Sequence, residues 1–436
     1  MVKKSLCAAA ALIAIGAQMG AAQADSGKHV GNGAAFTYSI FGDAPYGTTQ
    51  GDTAELAASP HFVSAVNSDP ASEAIIHVGD IHSGQQWCTA AYDNDVFTLW
   101  QGGTLSETAP DGSQITSPGF TKPLVYTPGD NEWSDCHKVK VNSTGVVTGG
   151  EGGGQYQAAT GQIKYVDSTG ALKYPSDPTF AGYADYAGGD GNANLALVRS
   201  IFFANPGHTL GSGTLNVTTQ AHAYDPANPS DAQFVENVMW ENHGLVFVTL
   251  NLPGGSNDNA DPEYGAPLTL AQANERLARQ GANLRWLDAA FQLAKADGAA
   301  GLVIAAQADM WDISGGGSPR HLTNYKPYVD SIATHTTAFG HPVLLLNGDS
   351  HVYRSDNPLM PNAPCTGDAG TCASYNSYDA QPNGYNVPNF HRIVVHGSTF
   401  PLEYLNLTMS PSAHSAATDT ASGGTFGTFS WTRVTE

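Results

Sequence analysis

Val125-Tyr-Thr-Pro-Gly-Asp-Asn-Glu-Trp133 is the stretch from which the fold of this chain can be read. An apolar, β-prone run stops at Gly129, and Asp130, Asn131 and Glu132 follow it, each able to bind a cation or a water molecule. Open α/β sheets place their sites at the carboxyl ends of their strands. We therefore predict a buried strand that delivers ligand side chains at its carboxyl end.

The same pattern, an apolar run ended by Gly-Asp, occurs at three other places. These runs are Phe36 to Asp43, Ala74 to Asp80 and Val343 to Asp349. The remaining Gly-Asp dipeptides lie in polar or glycine-rich surroundings that are typical of turns. Carboxylates that converge at one sheet edge suit a hard divalent cation, because without a cation they would repel one another. We predict that the four runs form one metal site.

The first 24 residues have the features of a cleavable secretory signal. Lys3 and Lys4 precede the apolar run Leu6 to Ile15, and Ala22-Gln-Ala24 is typical of a cleavage site. We therefore expect a signal peptide over residues 1–24 and a secreted or periplasmic protein without a membrane span. The formal net charge of −21 repels polyanions, which argues against a protein that coats nucleic acid.

Four cysteines follow the expected signal peptide, an even number that suits disulfide bonds in an oxidising compartment. Cys365 and Cys372 bracket a turn-rich loop, and we expect them to pair. Cys88 follows the run Ala74 to Asp80, and Cys136 follows the run that begins at Val125. These two cysteines can pair if both runs end at the same sheet edge. Two free buried thiols are the alternative for this second pair.

Composition divides the rest of the chain. We expect a catalytic domain over residues 25–411, with a Gly-rich insertion at 138–190 that has too few apolar residues for a core of its own. A long helix is expected from Leu268 to Ala296, with Thr269 as its cap. Residues 412–436 are rich in Ser, Thr, Gly and Ala, and we expect a weakly ordered C-terminal tail there.

The order of these motifs resembles the calcineurin-like metallophosphoesterases over roughly residues 36–408. The counterparts of the family's motifs are Gly42-Asp-Ala-Pro-Tyr46, Gly79-Asp-Ile-His82, Gly129-Asp-Asn-Glu132, Gln307-Ala-Asp309 and Gly348-Asp-Ser-His351. The resemblance implies an α/β fold of the metallophosphoesterase type, a four-layer αββα sandwich. It also implies a small phosphorylated substrate, whose phosphate mono- or diester is hydrolysed by metal-activated water.

The resemblance further implies a centre for one or two divalent metal ions. In the family pattern, Asp80 would bridge two ions. Asp43 and His351 would hold the first ion, with Tyr46 or His82 as a possible additional ligand. These assignments follow from the motifs alone.

For the second ion, the family pattern implies Asp130, Gln307 and Asp349 as ligands. In an alternative register, Asn131 is the ligand and Asp130 lies behind it. The sequence departs from the family here, since Gln307, Asp349 and Asn131 stand where the family has histidines, and Pro45 replaces a fourth. Oxygen ligands in place of imidazoles favour Mg²⁺, Mn²⁺ or Ca²⁺ over zinc, and iron stays an alternative.

His82 and Asn131 are the candidate catalytic residues. His82 lies two residues after Asp80 and could replace the missing acid/base group, or it could be an ordinary hydrogen-bonded histidine. Asn131 cannot transfer a proton at neutral pH, so it would donate hydrogen bonds to phosphate. The loss of histidines leaves a rival interpretation, a catalytically silent protein of the same fold that binds a cation or a phosphorylated ligand. A serine hydrolase is disfavoured, because no Gly-x-Ser-x-Gly elbow lies between a strand and a helix.

Overall fold

A computed structural model describes residues 33–49, 51–134, 136, 139–141, 147–150, 156–157, 159–255, 268–312, 319–368, 372, 384–398 and 400–436. Within these residues the chain is a mixed α/β protein with two mixed sheets, of seven and eight strands, and five α-helices. The signal peptide expected at 1–24 lies outside the described residues.

The helices are α1 (Ala54–Ser68), α2 (Ala90–Gln101), α3 (Gly191–Phe202), α4 (Leu270–Ala296) and α5 (Pro319–Phe339). The strands of the first half are β1 (Phe36–Phe41), β2 (Ser72–His77), β3 (Gly103–Thr108), β4 (Gln114–Ser117), β5 (Leu124–Tyr126), β6 (Val139–Val141), β7 (Val147–Gly150), β8 (Tyr156–Gln157), β9 (Gln162–Ile163), β10 (Tyr165–Val166) and β11 (Leu172–Lys173). Those of the second half are β12 (Thr218–Thr219), β13 (Val238–Asn242), β14 (Leu245–Thr249), β15 (Leu302–Ala305), β16 (Val343–Asn347), β17 (Arg354–Asp356), β18 (Cys365–Gly367), β19 (Phe390–Val394), β20 (Glu403–Met409), β21 (Ser415–Thr420), β22 (Gly423–Gly427) and β23 (Phe429–Thr435).

Parallel strands form the part of each sheet that carries the site. The seven-stranded sheet has the order β21-β22-β23-β20-β1-β2-β5, in which β1, β2 and β5 are parallel. The eight-stranded sheet has the order β12-β13-β14-β15-β16-β19-β17-β18, in which β14, β15, β16 and β19 are parallel. β14, β15 and β16 are buried along their whole length. Near-continuous apolar runs are typical of such strands, because both faces of a parallel sheet are covered.

Three clusters of buried apolar side chains make up the core. One contains residues of both large sheets, for example Tyr38 and Ile76 of the first and Phe247 of the second. A second cluster packs α4 and α5 on the eight-stranded sheet. A third packs α1, α2 and α3 on the seven-stranded sheet. The two sheets therefore share a buried interface, and each has helices packed on it through a separate cluster.

Helix α4 begins and ends close to the predicted residues. The side chain of Thr269 accepts a hydrogen bond from the Gln272 amide, and the Gln272 side chain accepts one from the Thr269 amide. This reciprocal pair is a capping box, which satisfies two amides that the first turn leaves free. The capping role predicted for Thr269 is confirmed.

The expectation of a weakly ordered C-terminal tail at 412–436 is wrong. This segment forms β21, β22 and β23, and β23 pairs with β20 in antiparallel register from Phe429 to Thr435. Phe429 and Trp431 are 1% and 2% exposed and belong to the cluster between the sheets. Alternation of aromatic and small polar residues is the period-two pattern of a strand with one buried face, so the Ser/Thr-rich composition conceals a sheet edge.

The insertion at 138–190 is described in part. Its described residues form three two-stranded sheets, β6-β7, β8-β9 and β10-β11. At its end the Cys88 amide donates a hydrogen bond to Asp185, and the Tyr186 amide donates one to the Cys88 carbonyl. Among the described residues, no helix has the length and apolar character that crossing a bilayer requires.

Candidate metal centre

Six parallel strands end at one place, three from each large sheet. The residues that they deliver are Asp43 after β1, Asp80 after β2, Asp130 after β5, Gly254 after β14, Gln307 after β15 and Asp349 after β16. Hydrogen bonds and close approaches connect these residues to one another. The convergence of Asp43, Asp80 and Asp349 that the sequence predicts is therefore observed, and their role as metal ligands stays a prediction.

The backbone turns into the left-handed region at three of the four Gly-Asp motifs. Asp43, Asp80 and Asp349 have φ values of 49°, 59° and 75°, and His351 has a φ of 60°. Aspartate tolerates this conformation better than most residues do. A Cβ on Gly129 would lie 1.9 Å from Asp80 Oδ1, so the neighbouring chain can pass only as glycine.

Asp43, Asp80 and His351 form the first half of the centre. Each offers one ligand atom, and these atoms all lie within 4.8 Å of one another. Asp43 Oδ1 accepts a hydrogen bond of 3.0 Å from the Asp349 amide, whereas its buried Oδ2 has no hydrogen-bond partner among the described residues. A buried carboxylate oxygen without a donor is costly unless it meets a cation. Two carboxylates and an imidazole therefore fit a divalent metal ion at this point.

Tyr46 connects the residues of this first half. Its hydroxyl donates to Asp80 Oδ2 at 3.1 Å, lies 2.9 Å from His351 Nε2 and accepts a hydrogen bond from the Asn131 side chain. Asn131 also donates two hydrogen bonds to Asp80, one from its backbone N–H at 3.3 Å and one from its side-chain NH₂ at 3.0 Å. Tyr46 and Asn131 thus fix the orientation of Asp80, and both lie beside the candidate ligands.

Asp130, Gln307 and Asp349 form the second half. Gln307 Nε2 donates to Asp130 Oδ1 at 2.8 Å and to Asp80 Oδ2 at 3.1 Å, and its Oε1 accepts a hydrogen bond from the Gly254 amide. A Cβ on Gly254 would lie 2.7 Å from Asp349 Oδ1 and 2.8 Å from Asp130 Oδ2. Gly254 was not singled out in the sequence, where a glycine after a strand reads as an ordinary turn.

Burial makes ionised carboxylates in this centre energetically unfavourable. It raises the pKa of Asp43 to about 8, although the hydrogen bond from the Asp349 amide opposes the shift. Burial and then the charge of Asp130 raise the pKa values of Asp80 and Asp349 well above their usual range. Carboxyl groups with raised pKa values in a shared cavity either hold protons or meet a cation.

A buried ion network supports Asp349 from behind. The Asp309 amide donates to Asp349 Oδ2 at 2.9 Å, and the Asp309 carboxylate binds Arg392, Arg354 and Ser350. Burial alone would raise the pKa of Asp309, but the two guanidinium groups hold that pKa below its ordinary value. No local spacing in the sequence relates the two arginines to Asp309, so this network could not be predicted from the sequence.

His82 is not brought to the centre. Its ring is fully buried, Nδ1 lies 3.1 Å from the Ser83 carbonyl, and Nε2 lies 3.6 Å from Cys88 Sγ. Burial lowers the pKa of His82 to about 4. The acid/base role predicted for His82 does not fit this position, because a neutral ring turned toward a disulfide cannot reach a substrate in the cavity.

Glu132 also points away from the cavity. Its Oε1 accepts hydrogen bonds from the Tyr126 hydroxyl at 2.6 Å and from the Gly129 amide at 2.9 Å. Burial raises the pKa of Glu132. Of the three polar residues after Gly129, Asp130 and Asn131 line the cavity, and Glu132 holds the shape of the loop.

Both expected disulfides are present. Cys88 pairs with Cys136, which links the loop after β2 to the loop after β5, and Cys365 pairs with Cys372. The first bond joins the two loops that carry Asp80 and Asp130. Disulfides of this kind fit an oxidising compartment.

The centre opens into a cavity of about 380 Å³. This volume suits a small ligand. The cavity is lined by Tyr46, Gly47, Thr48, Asp80, Ser83, Gly84, Gln85, Asp130, Asn131, Asp349, His351 and Ser398. Its lining thus combines carboxylates with hydroxyl, amide and backbone groups.

Comparison of the chain with protein-family models and with curated proteins found no match.

Proposed function

We propose that this protein is an exported, metal-dependent phosphoric ester hydrolase, a divergent member of the calcineurin-like metallophosphoesterases. The order of the Gly-Asp motifs supports the family assignment. The two sheets that share one core cluster, with helices packed on each, support a four-layer αββα sandwich. The two disulfides support a secreted or periplasmic location.

The observation that carries the proposal is the group of Asp43, Asp80 and His351. Their ligand atoms lie within 4.8 Å of one another, and in the part of the chain that the structure describes the buried Asp43 Oδ2 meets no hydrogen-bond donor. The donor set is richer in oxygen than in nitrogen, which favours Mg²⁺, Mn²⁺ or Ca²⁺ over zinc. A divalent ion bound there would supply charge neutralisation for a phosphate and a lowered pKa for an attacking water.

The remaining residues of the cavity bind and orient. Asn131 and Tyr46 hold Asp80 through hydrogen bonds, so the carboxylate keeps one direction. Thr48, Ser83 and Gln85 also line the cavity. The Thr48 hydroxyl donates to Asp52 and the Ser83 hydroxyl donates to the Gly47 carbonyl, so both side chains are held in place. A bound cation beside this uncharged polar lining suits a small phosphate ester.

The test is hydrolysis of p-nitrophenyl phosphate and of bis(p-nitrophenyl) phosphate, each with Mg²⁺, Mn²⁺, Ca²⁺ and Zn²⁺ in turn. We expect turnover with at least one of the oxygen-preferring ions. Asp80→Asn should lower the turnover rate at least ~100-fold, which is the upper end of the loss seen when a group that only supports a metal ligand is changed. The asparagine keeps the size of the side chain but removes the negative charge.

Asp111→Asn is the matched control for this experiment. Asp111 lies in an exposed turn and caps the amide of Ser113, so the same chemical change there should leave the rate unaltered. Equal loss in both variants, or full activity in Asp80→Asn, would contradict the proposal.

A second candidate is a catalytically silent protein of the same fold that binds a cation or a phosphorylated ligand. The position of His82 favours it, because this imidazole is buried against Cys88 and Tyr92 instead of lining the cavity. Metal binding by the wild-type chain without turnover of either ester would support this candidate over the hydrolase.

A further inference from the structure

The side chain of Gln307 lies between the carboxylates of Asp80 and Asp130, where the family pattern has a histidine that holds the second ion. Gln307 is fully buried. Its position therefore decides what the second half of the centre can contain.

Hydrogen-bond chemistry fixes the orientation of this amide. The Gly254 N–H can only donate, and it points at Gln307 Oε1, so the oxygen must face the backbone. An ionised carboxylate can only accept, so the NH₂ group must face Asp80 and Asp130. The contacts agree, since Nε2 lies 3.1 Å from Asp80 Oδ2 and 2.8 Å from Asp130 Oδ1.

An amide nitrogen carries two N–H donors, and each points at one carboxylate. A cation bridging Asp80 Oδ2 and Asp130 Oδ1 would need the place that Nε2 occupies. The amide oxygen is the only atom of Gln307 that can bind a metal ion, and it faces the Gly254 amide, whereas Nε2 faces Asp80 and Asp130. The residues of the second half therefore do not fit a second ion.

We propose that the centre binds a single divalent ion, held by Asp43, Asp80 and His351, and that the Gln307 amide occupies the place of the second ion. This inference rests on the proposed metal-dependent function. It assigns Gln307 as a positioning residue, which links two carboxylates through hydrogen bonds and does not ligate a metal.

The same contacts explain how the second half tolerates close carboxylates. Two donors on one amide offset part of the repulsion between Asp80 and Asp130, in place of a cation's charge. Gly254 allows this packing, because a side chain there would collide with Asp130 and Asp349.

The test is a count of bound metal. The purified wild-type chain is dialysed against excess Mn²⁺, and the manganese retained per chain is measured by mass spectrometry. We expect one ion per chain and an electron paramagnetic resonance spectrum of an isolated Mn²⁺ ion. Two ions per chain, or the spectrum of a coupled pair, would overturn the inference while leaving the hydrolase proposal intact.

Gln307→Glu provides the complementary measurement. Glutamate can keep the hydrogen bond from the Gly254 amide, but it places an oxygen against Asp80 and Asp130, so a cation is needed between them. We expect this variant to retain a second Mn²⁺ ion. Gln85→Glu is the matched control, since Gln85 lines the cavity outside this group and the same change there should leave one ion per chain.

The remaining outcomes separate the inference from the proposed function. One ion per chain without ester hydrolysis would support the inference and contradict the hydrolase. A second ion in Gln85→Glu but not in Gln307→Glu would overturn the role of Gln307. Retention of no ion by the wild-type chain would overturn both proposals. The wild-type count decides the inference even if Gln307→Glu fails to fold.

Discussion

Gly254 shows how closely single residues define this centre. An ideal Cβ at this position would approach Asp349 Oδ1 to 2.7 Å and Asp130 Oδ2 to 2.8 Å. Real Cβ atoms essentially never come so near to another heavy atom, so one of the carboxylates would have to move. The position has no positive φ, and an alanine would be acceptable to the backbone itself.

We predict that Gly254→Ala weakens binding of the metal ion by about 10- to 100-fold, as changes in groups around metal ligands commonly do. The methyl group would displace the carboxylates and disturb the hydrogen bond to Gln307. Isothermal titration with Mn²⁺ measures the effect. Gly51→Ala is the control, because a Cβ there meets nothing within 4 Å. An unchanged affinity in Gly254→Ala would show that the carboxylates adjust without cost.

At this scale the sequence predicted part of the site. The carboxylates could be found because each follows an apolar run and a glycine, a pattern that states where the strand ends and where the chain turns. His82 could not be judged in the same way. Its spacing of two residues from Asp80 says nothing about direction, and the chain after Asp80 turns its imidazole toward Cys88. Gln307 could be placed, but the direction of its amide depends on Gly254, which lies on another strand.

At the scale of elements, local patterns predicted what is local. Strands β14, β15 and β16 are rich in Val, Leu and Ile, and α4 has a recognisable cap at Thr269. Leu277, Leu287 and Phe291 follow one another at helical spacing in the sequence of α4, yet Leu287 and Phe291 are buried whereas Leu277 is 57% exposed. Strands β21 to β23 were missed because they are held by pairing with β20 and with each other. Composition does not reveal which strands pair.

The last strand gives the prediction for this scale. Trp431 is 2% exposed and donates from its indole nitrogen to the Tyr353 hydroxyl at 2.9 Å. We predict that Trp431→Ala lowers the free energy of unfolding by about 3–5 kcal/mol, the usual cost of emptying such a site. Thr432→Ala changes an exposed side chain of the same strand and should stay within about 0.5 kcal/mol of the wild type. Chemical denaturation followed by fluorescence compares the two. Similar stability in both variants would mean that β23 contributes little to the core.

At the scale of the whole molecule, buried acids make stability depend on pH. Asp185 lies away from the metal centre, where it accepts a hydrogen bond of 2.9 Å from the Cys88 amide. Burial raises the pKa of Asp185 to about 7, from an ordinary value near 4. The folded protein therefore holds a proton that the unfolded chain releases. This contribution to stability is complete below about pH 4 and is lost as pH rises through about 7.

We predict that Asp185→Asn removes this part of the pH dependence. Between about pH 5 and about pH 8 the wild type should lose about 3 kcal/mol of unfolding free energy through Asp185 alone, and the variant should not. Asparagine can still accept the hydrogen bond from Cys88. Urea denaturation at both pH values measures the difference between the two proteins. The idea fails if wild type and variant lose stability in parallel, or if Asp111→Asn, an exposed control, shows the same relief.

The left-handed backbone at Asp43, Asp80, Asp349 and His351 sets a limit on engineering. Each of these residues stores roughly 1 kcal/mol or more of conformational strain that glycine would not feel. A screen that rewards heat resistance alone should therefore enrich glycine at these four positions. The selected variants would be more stable but would lack the side chains of the metal centre. Stability and activity must therefore be selected together in any improvement of this chain.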